Sequence, residues 1–145
     1  MRFFVIIILL GDNFMTTKRS ELREKIMIIL YQIDIFKEQK VEYNIEDIIK
    51  ENISIDNEFV KDIVFGVVTY KEELDKTINK YMNNWTIDRL DKSGANILRM
   101  SLYELKYMDT PEIVVINEAV ELAKKYCDES VRKIINAVLD KYIKE

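Results

Sequence analysis

Histidine is absent from the 145 residues, and that removes most of the reaction chemistry open to a small protein. A Ser-His or Cys-His nucleophile, a histidine general base and a histidine-ligated metal are all excluded. The one cysteine, Cys127, forms no intrachain disulfide, which fits a reducing cytoplasmic interior. It stands at the end of a helical segment with no neighbouring base, so it reads as an inert, partly buried thiol. With three glycines in all, no glycine-rich phosphate loop can be drawn. Carboxylates are plentiful, but they alternate with lysines as solvated helix faces do. The expectation is a protein that is not an enzyme and folds without metal or cofactor.

What remains is binding chemistry. Net charge is −4, so a nucleic-acid site would have to be a local patch. One such patch opens the first helical segment, where Lys18, Arg19, Arg23 and Lys25 outnumber Glu21 and Glu24. Positive charge at a helix N-terminus opposes the helix dipole, so stability does not explain it. Two readings stay open: a solvated helix end, or a set of phosphate contacts.

These residues need elements to hold them. Hydrophobic residues make up 48% of the chain, enough for one sizeable core, and no stretch sustains two-residue alternation. The first helix is expected from Ser20, as N-cap, to about Lys37, with Leu22, Ile26, Ile29, Leu30 and Ile33 inward. Residues 38–57 hold short helical pieces flanked by Ile45, Ile48 and Ile49. Asp56 is expected to cap one long helix to about Asn83, carried by Phe59, Ile63, Val67, Tyr70, Leu74, Ile78 and Tyr81. Gly66 lies inside it, which suggests a close helix crossing, and Glu72 with Lys76 forms an i, i+4 pair. Trp85 is expected as a core plug between two halves. Asp91 caps the next helix, whose inward face is Ala95, Leu98, Leu102 and Leu105. The run from Pro111 to Tyr126 has the strongest periodicity, through Val115, Ala119, Leu122 and Tyr126, and is expected to organise the chain. A last helix follows, capped by Asp128 or Ser130, with Val131, Ile134, Ile135, Val138, Leu139 and Tyr142 inward.

The first residues read differently. Phe3 to Leu10 is an unbroken apolar run, far short of the ~20 residues a membrane-spanning helix needs, and no membrane association is expected. Met15 is the expected natural start, with residues 1–14 a misassigned extension.

Several motifs occur together and in order: Arg-Glu-x4-Ile-Leu-Tyr from Arg23 to Tyr31, Phe65-Gly66-Val67-Val68, and Leu98-Arg99-x3-Tyr103-Glu104-Leu105. They are followed by Ile116-Asn117-Glu118-Ala119-Val120-Glu121-Leu122-Ala123-Lys124 and by Lys133-Ile134-Ile135-Asn136-Ala137-Val138-Leu139-Asp140. In this the chain resembles the NusB family of bacterial antitermination factors over essentially residues 18–143. The resemblance implies an all-α fold, a single helical domain over residues 15–145 built from two packed three-helix bundles, about 15–84 and 85–145. It implies binding of the boxA element of nascent ribosomal RNA transcripts jointly with the ribosomal protein NusE, as part of an antitermination complex on RNA polymerase. Matched residue by residue, it places RNA contacts at Lys18, Arg19, Arg23, Tyr31 and Lys133. Cations would hold the backbone while an aromatic offers a stacking face. Two alternatives remain for Tyr31, stacking or core, and self-association as a homodimer is open. A protein-interaction module is the competing reading, as is an RNA-targeting module like that fused to ribosomal RNA cytosine methyltransferases.

Overall fold

The computed structural model describes residues 18–145, and within them every regular element is helical. They are α1 (Arg19–Glu38), α2 (Ile45–Asn52), α3 (Glu58–Thr69), α4 (Lys71–Lys80), a 3-10 turn (Ile87–Arg89), α5 (Lys92–Tyr107), α6 (Glu112–Tyr126) and α7 (Glu129–Lys144). The expectation about residues 1–14 lies outside the described residues.

The axis is α5, not the α6 run that periodicity favoured. Every residue from Gly94 to Glu104 is buried, because α1, α3, α4, α6 and α7 all pack against this one helix. A helix enclosed on all sides has no polar stripe to reveal its rank. The expected stripe on α6 is real: Val115, Ala119, Leu122 and Ala123 are buried. Residues from both expected halves join one continuous apolar core, in which Ile26, Ile63, Ile78, Leu98, Ile135 and Leu139 are fully enclosed.

Local chemistry sets the helix starts. The side chains of Asn44, Asn57, Asp91 and Asp128 accept from the backbone N–H three residues on, at 3.0, 3.1, 3.0 and 3.0 Å. Each satisfies an N–H that the helix leaves without a partner. Asp91 and Asp128 bear out the expectation, whereas Asn57 takes the place expected for Asp56. Ser20 is not the cap of α1; the helix starts at Arg19, and the Ser20 hydroxyl donates to Glu118 on α6 at 2.9 Å.

The expected long helix is two helices. At Tyr70 the backbone leaves the helical region (φ −103°, ψ 20°), and the Tyr70 ring stacks on Tyr107 of α5 at 5.0 Å. The apolar rhythm runs through the bend, which is why periodicity alone missed it. Glu72 and Lys76 form no ion pair among the described residues. Gly66 is a crossing point as expected: a Cβ there would lie 2.2 Å from the Tyr103 ring.

Candidate nucleic-acid interface

Arg19 and Arg23 lie one turn apart at the start of α1 and share a neighbour. Their guanidinium carbons stand 4.3 and 5.3 Å from the centroid of the Phe59 ring on α3. There the likeness ends. Arg19 is exposed, but Arg23 is only 4% exposed. Its Nε donates to Glu104 Oε1 at 3.0 Å and its second arm to Oε2. Thr110 also donates to Glu104 Oε2, at 2.6 Å, and Glu118 stands 4.0 Å from the guanidinium. Arg23 therefore ties α1 to α5, with two of its donors engaged by Glu104 inside the protein. A buried charge survives only with such pairing. The sequence reading placed Arg23 among the phosphate contacts because a basic run does not say which of its members turns inward. The apolar spacing of α1 could have said so, since Arg23 falls between Leu22 and Ile26 on the inward arc.

Lys18, the N-cap of α1, and Lys25 and Tyr31 within it are exposed. Lys25 belongs to the basic patch but not to the contacts that the resemblance implies, although it is exposed and has no ion pair among the described residues. Glu24, beside it, is engaged by α6: Lys125 Nζ lies at 2.6 Å and the Tyr126 hydroxyl also donates to it. These bonds, Lys125 first and Tyr126 second, hold the Glu24 carboxyl below the usual carboxylate range. Its charge is thereby matched locally, which leaves the start of α1 less acidic than the sequence suggests.

Tyr31 is 40% exposed, so it is not a core tyrosine. It edges a groove of about 420 Å3 lined by Met27, Ile28, Gln32, Ser93 and Tyr126. An apolar floor beside a free aromatic ring is a surface on which a base can stack.

Lys133 is elsewhere. It projects from α7 with its side chain 73% exposed and 3.7 Å from Glu129. It lines a separate hollow with Trp85, Ile134 and Lys141, and no described contact brings it to the start of α1. Trp85 itself is 39% exposed, which corrects the expectation of a core plug. It sits in the turn after α4, where the neighbouring Asn84 adopts φ 55°, and that turn carries the ring outward.

Cys127 is half-buried at the end of α6, and burial pushes its thiol up to about 11, which keeps it protonated and unreactive at neutral pH. No group of His, Cys, Asp and Glu residues that could hold a metal occurs among the described residues, and none of their helices is long and apolar enough to cross a membrane. An all-helical body with cations and aromatic rings on its surface is equipped as a binding protein. The chain belongs to the NusB family, whose model matches residues 20–144. It is 40% identical over 123 residues to the transcription antitermination protein NusB of Listeria innocua, covering 84% of this chain and 93% of that one. Among solved structures it is similar to T. maritima NusB (TM-score 0.77, 29% identity, 88% of this chain and 92% of that one). It is also similar to a chain in the structure of antitermination factors NusB and NusE in complex with dsRNA (TM-score 0.73, 31% identity, 87% and 96%).

Proposed function

We propose that this protein is a transcription antitermination factor that binds the boxA element of nascent ribosomal RNA together with NusE, and that it acts in the cytoplasm without catalysing a reaction. Its place is in the antitermination complex on RNA polymerase. The observation that carries this reading is the exposed Tyr31 ring beside an apolar groove on α1, a helix that also exposes Arg19 and Lys25 and follows Lys18, within a chain of the NusB family. Lys18, Arg19 and Lys25 contact phosphates and Tyr31 stacks a base. Lys133 supplies a cation to the same RNA further along. Arg23 acts through α1: its pair with Glu104 fixes the turn from which Arg19 projects.

The competing reading, a protein-interaction or dimerisation module, predicts no salt-dependent RNA affinity. Labelled boxA RNA and a scrambled sequence are titrated with the full chain, with and without NusE, and anisotropy is followed. Preference for boxA that tightens with NusE is the expected result. Equal failure on both RNAs at low salt, NusE included, rejects the reading.

A further inference from the structure

Among the described residues three lysines are half-buried, Lys61, Lys71 and Lys92. Two of them are tied down: Lys61 has Asp56 at 2.6 Å and Lys92 has Glu38 at 3.2 Å. The third is not. The nearest carboxylate oxygen to the Lys71 amine, on Asp34, stands 3.8 Å away, too far for a hydrogen bond. We propose that Lys71 is a covalent modification site, acylated without an enzyme by small acyl phosphates whose phosphate is held by Lys37. The site does not depend on RNA binding.

Lys71 opens α4 and lines a hollow of about 410 Å3 that it shares with α1, the 3-10 turn and α5. A narrow gap walled by Leu30, Ile33, Val67 and Val68 adjoins the hollow at Lys71, so the side chain is partly withdrawn from water. Charged groups surround it on every element: Asp34, Lys37 and Glu38 from α1, Asp75 from α4 itself, Asp88 from the 3-10 turn, Lys92 and Arg99 from α5. The carboxylates among them are engaged. Glu38 holds Lys92, Asp88 accepts from the Thr86 hydroxyl, and Asp75 accepts from Arg99 Nε at 2.7 Å. Asp34 Oδ2 accepts from Asn96 at 2.9 Å and has Arg99 at 3.5 Å. Lys37, by contrast, is exposed and has no ion pair among the described residues, which leaves it free to meet a phosphate.

Only a neutral amine attacks an acyl carbon. Burial, then the Arg99 charge and more weakly that of Lys37, holds the Lys71 amine below the usual lysine value, against the pull of Asp34 and Asp75. Lys61, hydrogen-bonded to Asp56, is pushed the other way. In the step itself the Lys71 Nζ lone pair attacks the acyl carbon. An N–C bond forms and the C–O bond to phosphate breaks. Inorganic phosphate leaves with that electron pair and with the proton that nitrogen sheds. The product amide carries no charge, and Asp34 keeps Asn96 and Arg99, so acylation strands no carboxylate.

The full chain is incubated with acetyl phosphate near neutral pH, and the acetylated fraction at each lysine is followed by peptide mass spectrometry. Lys25 and Lys76, both exposed, are the internal references. Lys71 is expected to react several-fold faster than either. Excess inorganic phosphate should slow Lys71 and spare the references, and Lys37→Gln should slow Lys71 likewise. A neutral N-hydroxysuccinimide ester of acetic acid, which carries no phosphate, should still favour Lys71 but show no inhibition by phosphate. Lys71 labelled by acetyl phosphate no faster than Lys25 and Lys76 overturns the site. Lys71 favoured by the ester alone, or by acetyl phosphate with no response to phosphate or to Lys37→Gln, removes the phosphate seat and overturns the proposal as well.

Discussion

Two arginines one turn apart, leaning on the same Phe59 ring, have opposite fates, and burial is what separates them. Removing one partner of a buried ion pair strands the other charge, which costs about 3–5 kcal/mol. Arg23→Ala should therefore lower the thermal midpoint sharply, by stranding Glu104, whatever it does to RNA. Arg19→Ala should leave the midpoint within about a degree, since exposed substitutions rarely exceed ~0.5 kcal/mol, while weakening RNA. Calorimetry beside anisotropy reads the two effects apart, and a stable Arg23→Ala that loses RNA would reverse the assignment. Glu24 adds a pH dependence. Lys125 and Tyr126 depress its folded pKa below the ordinary 4.5. The stabilisation is thus full above 4.5 and is lost as pH falls through the folded value. Glu24→Gln should flatten the acid side of the stability curve in that window; an unchanged profile in denaturant titrations at several pH values would mean the Lys125 contact contributes nothing.

Helix–helix geometry puts its tightest demand on Gly66. Alanine there would gain about 1 kcal/mol of helix propensity, but its Cβ would sit 2.2 Å from Tyr103, whose hydroxyl is anchored to Asp62 at 2.6 Å. The ring cannot swing away without giving up that bond. Overpacking of this kind costs about 1–3 kcal/mol, so Gly66→Ala should be net destabilising in urea titrations; a raised midpoint would show that the α3–α5 crossing opens freely. Such a crossing was legible in the sequence, because glycine inside an apolar helical run has few other uses. The caps at Asp91 and Asp128 were legible for the same reason, a polar residue before an apolar repeat. The bend at Tyr70 was not, since the residues around it keep helical spacing and the cause, a ring stacked on Tyr107, comes from a helix far along the chain. Nor was the axial rank of α5, where Arg99 and Asn96 look solvent-facing in the sequence. Their side chains are buried instead against Asp75 and Asp34. Of the site, the basic start could be read from residue types and Tyr31 only from the family resemblance, while the inward turn of Arg23 and the outward turn of Trp85 depend on packing partners.

Over the whole molecule, acidic residues exceed basic ones by 26 to 22, so the long-range field repels RNA and attraction comes only from where cations gather. Lys18, Arg19 and Lys25 gather at one end of α1, and Glu24 is matched there by Lys125. Few phosphates are then neutralised, and affinity for RNA without NusE should fall only gently with salt. Each single-strand phosphate contact contributes up to ~0.7 to the slope of log affinity against log salt. Changing Arg19 and Lys25 together to alanine should lower that slope by up to ~1.4, twice the single-contact term, and weaken boxA and scrambled RNA alike. Tyr31→Ala should leave the slope unchanged and cost about 1–3 kcal/mol of RNA binding through lost stacking, with a smaller change in thermal midpoint than a core tyrosine would give, because the residue is 40% exposed. Anisotropy titrations over a range of potassium chloride concentrations distinguish the two. A Tyr31→Ala protein that binds as tightly as the parent would remove the ring from the interface, and an unchanged slope in the double variant would move the phosphate contacts off α1 altogether.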